Sequence, residues 1–282
     1  MSGFDSRRTP ARPDLAAACL QGMIDAPRFV EGRRMRVLDE VIGLRAQPSP
    51  DCSLDTQVLH GEEVVIYDVD EGWAWGQLTS DRYVGYMPAD SLSELDVTPS
   101  HRVQAPRTFL YPGANMKAPV VGALPLGARV EVRALRGDFA QLGSGLFVWA
   151  AHLCALGALQ ADYVATAESF LGVPYLWGGK TFLGLDCSGL VQVSLQGAGI
   201  AAPRDTDMMQ AELGVEISAD MPLRRGDLIF WKGHVGLMQD ENTLLHANGH
   251  HMQVVSEPFA EACARIEAKS YGAVTARRRL IG

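Results

Sequence analysis

The strongest constraint on this chain is that part of it is written twice. Gly61-Glu62-Glu63-Val64-Val65-Ile66-Tyr67 returns as Gly127-Ala128-Arg129-Val130-Glu131-Val132-Arg133. Gly72-Trp73-Ala74-Trp75-Gly76-Gln77-Leu78 returns as Gly137-Asp138-Phe139-Ala140-Gln141-Leu142, and Tyr83–Leu92 is echoed by Gly145–Leu153. A period of about 65 residues marks one small module used twice. Within it, short alternating runs such as Glu63–Val69, Trp73–Leu78 and Arg82–Met87 are separated by Gly, Pro, Asp and Ser. That punctuation predicts strands joined by tight turns. Each copy reads as a long first loop, a hairpin, an aromatic strand and a short closing turn, so two small β-barrels are expected.

Composition narrows the functional classes. The chain has 282 residues, 47% hydrophobic and 21% charged, which excludes wholesale disorder and collagen-like repeats. Acidic residues outnumber basic ones, 33 to 25, for a net charge of −8, so a generally basic nucleic-acid-binding surface is not expected. No apolar run approaches the ~18 residues of a membrane span, and no membrane insertion is expected. Met1–Asp14 is rich in arginine and proline and lacks the apolar stretch of roughly 7–15 residues found in a secretory signal. The nearest candidate, Leu15–Leu20, is short and soon meets Asp25, so a cytoplasmic location is expected. Five cysteines, with no CxxC spacing, fit reduced thiols better than a disulfide framework. Residues 1–13 read as a solvated tail. Leu15–Met23 reads as a short helix with Asp14 near its N-cap.

Past residue 156 the texture changes. Val164, Ala167, Phe170 and Leu171 predict a helix within Ala161–Leu171, followed by the glycine-rich loop Gly172–Gly179. A second helix is expected over Cys187–Ala198, with Leu190, Val191 and Leu195 on one face. Strands are expected at Asp227–Trp231, His234–Gln239, Thr243–Ala247 and Met252–Val255. Helices first and antiparallel strands afterwards make an α+β domain. The expected division is 1–35 as tail and short helix, 36–96 and 97–155 as barrels, and 156–282 as the α+β domain.

The chemistry centres on Cys187. It opens the second helix, where unpaired N–H groups and the positive end of the dipole favour thiolate. A buried structural thiol is the alternative. The histidines tilt the balance. If the strands holding His234 and His246 form a hairpin turning at Asp240, the two lie equally far from the turn and directly opposite each other. His234 is then the general base, and later general acid, with His246 orienting it. Two satisfied strand histidines, or a Cys/His/His metal site, remain alternatives. The metal site ranks lower because it would occupy the thiolate and leave Asp186 unexplained. No metal or cofactor is expected.

Six motifs then occur in order: Pro174-Tyr175-Leu176-Trp177-Gly178-Gly179, Asp186-Cys187-Ser188-Gly189-Leu190-Val191, Pro203-Arg204-Asp205-Thr206, Arg225-Gly226-Asp227-Leu228-Ile229-Phe230, His234-Val235-Gly236-Leu237 and His246-Ala247. Their order and spacing resemble the NlpC/P60 cysteine peptidases, papain-like enzymes that hydrolyse peptidoglycan stem peptides. The likeness covers about 156–282, and the repeats in front resemble bacterial SH3-like barrels. Together they are similar to γ-D-glutamyl-L-diamino-acid endopeptidases of murein-peptide recycling, which cut after D-γ-Glu in peptides with a free N-terminal L-Ala.

The resemblance implies Cys187 as nucleophile, His234 as base and His246 as third polar residue. It implies that Tyr175 helps hold the substrate backbone or the oxyanion, that Asp186 and Ser188 hold the substrate's amino end, and that Thr206 stands where the family has a hydroxyl. It also implies that the first barrel adds a tyrosine, Tyr83 or Tyr86, and an acidic group. For that group Ser53 stands at the aligned position, with Asp51 and Asp55 nearby. The implied partners are short murein-derived peptides. An inert wall-fragment binding protein, and an amidase or acyltransferase on the same fold, are the competing functions. His250 and His251 read as a solvated turn, His152-Leu153-Cys154 as barrel closure, Trp73 and Trp75 as barrel core or wall, and Arg277–Arg279 as a solvated strand end.

Overall fold

The doubled texture of the first half folds as two barrel-like β bodies, each packed around its own core. A computed structural model describes residues 4–95 and 98–280 and divides the chain into two units, 1–158 and 159–282. The expected boundary between the barrels at 96–97, and the first three residues of the expected tail, lie outside the described residues.

In the first barrel the sheet runs in the order Leu92–Ser93, Arg33–Val37, Glu63–Asp70, Trp73–Leu78, Val84–Pro88, Val41–Arg45, Leu54–Leu59. The Asp70↔Trp73 pair is joined by Glu71 and Gly72, both at positive φ, the two-residue hairpin that matches strand twist. Inward positions alternate along the strands, so Val64, Ile66, Leu78 and Met87 meet Val37, Ile42, Leu44 and Val58 in one core. Tyr83 belongs to that core at 6% exposure. The expectation that Tyr83 faces a substrate is corrected on that ground. Tyr86 lines a cavity with Arg12, Asp68, Trp73 and Trp75. The second barrel packs Val103, Leu110, Leu124, Val130, Leu142 and Val148. Leu153–Ala155 pairs with His101–Val103, which is the expected closure.

The N-terminal segment corrects two expectations. Leu15–Ala17 is a strand, pairing antiparallel with Ala11–Arg12 and parallel with Phe29–Val30, and Ala18–Leu20 is one 3₁₀ turn. Leu15, Ala16 and Ala17 are all buried, and so short an apolar run is covered on every side more readily as a strand than as an amphipathic helix. Nor is the segment before it a solvated tail. The Arg12 guanidinium lies over the Trp75 ring and pairs with Asp14 and Asp68.

In the 159–282 unit, an antiparallel sheet runs Val215–Glu216, Ala276–Arg279, Leu228–Trp231, His234–Met238, Thr243–Asn248, Gln253–Pro258. Arg277–Arg279 is therefore an interior strand, not a solvated end. Arg279 forks onto buried Asp227 at 2.7 and 2.6 Å. Helix α1 (Tyr163–Glu168) starts at Asp162, whose side chain accepts from the Val164 and Ala165 N–H groups. Helix α2 (Cys187–Gly197) packs against the His234–Met238 strand. Its residues Cys187 through Leu195 are all buried, so the expected single apolar face is replaced by burial all round. Two helices were not anticipated: α3 (Thr206–Glu212) and α4 (Phe259–Lys269). Among the described residues no helix is long and apolar enough to cross a membrane.

Candidate active site

Helix α2 starts where it does because Asp186 caps it. The Asp186 backbone is extended, and its Oδ1 accepts from the Gly189 N–H at 2.6 Å. Cys187 is thus the first helical residue, 7% exposed. The thiol accepts from the Val235 backbone N–H and lies 3.9 Å from the Thr206 hydroxyl at the start of α3. Val235 follows His234, so the strand bearing the first histidine is also the strand that touches the sulfur.

The expected hairpin forms, with a small correction to its register. Leu237 pairs with Leu245 and Met238 with Leu244, so the turn centres on Glu241 instead of Asp240. Continued one step, this register places Gly236 opposite His246 and leaves His234 diagonal to it. A shift of two keeps both histidines on one face. A Cβ at position 236 would lie 3.1 Å from the His246 Cβ, so glycine gives the imidazole its space. His234 Nε2 and His246 Nδ1 are 2.8 Å apart. The His234 ring is further held by Tyr271, stacked at 5.2 Å and 7°, and by Trp231 at 5.5 Å.

Burial sets the charge state. His234 is 2% exposed. Desolvation, then the neighbouring His246, press its pKa down to about 3. Desolvation and the nearby Asp186 carboxylate push the Cys187 thiol up to about 11, against smaller contributions from the Val235 N–H, Thr206 and Arg204. Both shifts run against the expected resting thiolate at the helix N-terminus and favour thiol and neutral imidazole. Burial first, then Cys187 and Asp186, also raise the Tyr175 hydroxyl, so it remains a proton donor beside the sulfur.

Asp186 and Ser188 have structural duties. Arg204, 1% exposed, donates Nη1 to Asp186 Oδ1 at 3.0 Å and Nη2 to Oδ2 at 2.7 Å. Nη1 also donates to Ser188 Oγ at 2.7 Å. The Gly178 N–H adds a bond to Oδ2 at 2.9 Å, and the Ser188 hydroxyl a long one to Oδ1 at 3.3 Å. The carboxylate is surrounded by donors and its charge is offset by the guanidinium. A substrate ammonium would find one replaceable contact there, the Ser188 hydroxyl.

The structure thus gathers Cys187, Thr206 and Tyr175 about the thiol and joins His234 to His246, while Tyr83 lies in the other unit's core. Sequence reasoning missed Tyr271, Arg265 and Glu257. Only Glu257 had a usable signal, its alternation with Val255 on the strand after His246. Among the described residues no three His, Cys, Asp or Glu side chains converge as metal ligands would.

Comparison with known proteins agrees with this architecture. Residues 172–268 match the NlpC/P60 family, and residues 44–92 match the bacterial dipeptidyl-peptidase Sh3 domain. The chain is 30% identical over 195 residues to the peptidoglycan endopeptidase RipB of Mycobacterium tuberculosis, covering 62% of this chain and 75% of that protein. It is 29% identical over 237 residues to the gamma-D-glutamyl-L-lysine dipeptidyl-peptidase of Bacillus subtilis, covering 74% and 76%. The crystal structure of an NlpC/P60 family protein from Bacillus cereus superposes with a TM-score of 0.73 at 20% identity, over 88% of this chain and all of that one, and so shares the fold. A capped helix carrying a cysteine, packed on an antiparallel sheet that carries two bonded histidines, is the papain-like arrangement, and the chain belongs to the NlpC/P60 peptidase family with an SH3-like region in front.

Proposed function

We propose that this chain is a cysteine endopeptidase that hydrolyses the γ-D-glutamyl–diamino-acid bond of peptidoglycan stem peptides bearing a free N-terminal L-Ala, in recycling of wall peptides. The observation that carries the chemistry is the buried 2.8 Å bond between His234 and His246, on the strand whose next residue donates its N–H to the Cys187 thiol. The substrate class draws support from relatives named as peptidoglycan endopeptidase and gamma-D-glutamyl-L-lysine dipeptidyl-peptidase.

His234 takes the thiol proton as sulfur attacks the γ-glutamyl carbonyl carbon, since neither group is charged beforehand. The Tyr175 hydroxyl, kept protonated, donates to the developing oxyanion. His234 then passes its proton to the departing amine, leaving a thioester on Cys187. Water, activated by the same imidazole, cleaves that thioester. The Ser188 hydroxyl, by leaving Asp186, frees one carboxylate lone pair for the substrate's ammonium, and Thr206 borders the sulfur.

The test is turnover of L-Ala-γ-D-Glu-diamino-acid tripeptide. Cys187→Ala is expected to abolish it, and retained activity overturns the proposal. N-acetylated tripeptide is expected to be cut far more slowly, and equal rates remove recognition of the free amine.

A further inference from the structure

We propose that Glu257 is a positioning carboxylate that fixes the tautomers of His246 and, through it, of His234; the inference rests on the triad reading above. Glu257 lies on the Gln253–Pro258 strand, where Leu244↔Glu257 and His246↔Val255 pair. It is therefore diagonal to His246 on one face. Its Oε1 is 2.6 Å from His246 Nε2. A carboxylate offers only lone pairs, so the proton of His246 sits on Nε2. His246 Nδ1 then accepts from His234 Nε2–H at 2.8 Å, which leaves His234 Nδ1 as its one free basic nitrogen. Burial opposes the charge on Glu257, but its bonds to His246 and to Arg265 of α4 prevail and hold the carboxyl down at about 2.

A competitor stands beside it. Asn248 Nδ2 is 3.0 Å from the same His246 Nε2. Its amide cannot turn freely, because Oδ1 accepts from the His251 backbone N–H at 2.9 Å. Asn248 therefore favours a bare Nε2 and a proton on Nδ1 of His246. That would drive the His234 proton onto Nδ1 and remove the base. The shorter, charged contact to Glu257 decides the contest. Charge around the pair is mixed. Glu257 raises the pKa of both histidines, whereas Arg265 lowers both and His251 lowers that of His246. Tyr271, His250 and Lys269 complete the cavity wall around the pair.

The test combines tripeptide kinetics with imidazole ¹⁵N NMR on the full chain without substrate. In the parent protein NMR should find His246 protonated on Nε2; a proton on Nδ1 overturns the proposal even if every variant fails to fold. Glu257→Gln should lower kcat about 10- to 100-fold with KM little changed, by analogy with losing the partner that orients a metal-ligating histidine. It should also move the acid limb of kcat/KM to lower pH, whereas Arg265→Gln should move that limb to higher pH. Glu257→Gln/Asn248→Asp returns a carboxylate to the same nitrogen and should recover most of kcat. An unchanged Glu257→Gln profile, or limbs that move in the same direction, overturns the role of Glu257 while an inactive Cys187→Ala leaves the triad standing. Full activity of Cys187→Ala instead rejects the triad, and with it any catalytic meaning for Glu257.

Discussion

Replacing Arg204 with methionine tests what holds the nucleophile in place. Methionine roughly matches the buried volume but supplies no donor. The change deletes both bonds to Asp186, at 3.0 and 2.7 Å, and the 2.7 Å bond to Ser188. Asp186, 7% exposed, then keeps the Gly178 and Gly189 N–H groups and the long Ser188 hydroxyl contact but loses its buried counter-charge. Removing one partner of a buried ion pair costs about 3–5 kcal/mol. The two surviving N–H bonds place this case at the lower end, about 3 kcal/mol. For a unit of the length of 159–282, each kcal/mol lowers Tm by roughly 3–5 °C, so the transition should fall by about 10–15 °C in calorimetry of the whole chain. Arg204→Lys keeps a point charge without the fork and should lie between the parent and methionine. Asp186→Asn/Arg204→Met removes both charges and should regain part of the loss. A methionine variant within 1 kcal/mol of the parent, or a double variant no better than the single one, would refute the idea that this pair anchors α2.

Two further outcomes follow from the histidine strand. Gly236→Ala puts a Cβ 2.8 Å from Leu244 Cδ1 and 3.1 Å from His246 Cβ. It should cost about 1–3 kcal/mol by urea denaturation and lower kcat by displacing His246, and a variant with parental kcat would show that the imidazole is not confined there. Stability should also fall with acid. His234 is held near 3 against an ordinary 6.5, so between those values the unfolded chain binds a proton that the folded one refuses. The unfolding midpoint should drop as pH falls from about 6.5 towards 3, with Glu257, lowered to about 2, adding to the loss below its ordinary 4.5. His234→Gln should flatten the upper part of that window, and an unflattened curve would assign the acid sensitivity elsewhere.

What the sequence revealed followed from how local each signal was. The hairpins of the first barrel were legible because alternation and turn residues are short-range properties, and Glu71–Gly72 is a turn wherever it occurs between such strands. The Cys187 helix was legible through its cap. The histidine pair was legible despite the wrong turn centre, because strand parity survives a register slip of two. Other features depend on distant partners. Leu15–Ala17 became a strand only because Phe29–Val30 lies beside it. Tyr83 was drawn inward by the barrel core, which no count of spacing could distinguish from the neighbouring choice, Tyr86. Arg204 stands within the Pro203–Thr206 motif, yet its grip on Asp186 spans 18 positions of chain. Helix α4 was overlooked even though Phe259, Ala262, Cys263 and Ile266 keep helical spacing, because the run follows a strand without a polar cap.

Burial explains both why the site must be built this way and why its resting state is neutral. A helix N-terminus stabilises a thiolate by a kcal/mol or so at most partly exposed sites, roughly 1–2 kcal/mol at best. Enclosing the sulfur against a strand, two tyrosines and a carboxylate costs more, and the thiol rises to about 11. The same enclosure lowers His234 to about 3. With the two values moved apart in these directions, the ion pair is disfavoured before substrate arrives. Charge separation then becomes favourable only as the carbonyl accepts the sulfur's electrons and the oxyanion meets its donor. Under this logic, the groups that stabilise a cationic His234–His246 pair act chiefly in the transition state. They should alter kcat more than KM, which is the division expected for interactions made only as charge develops.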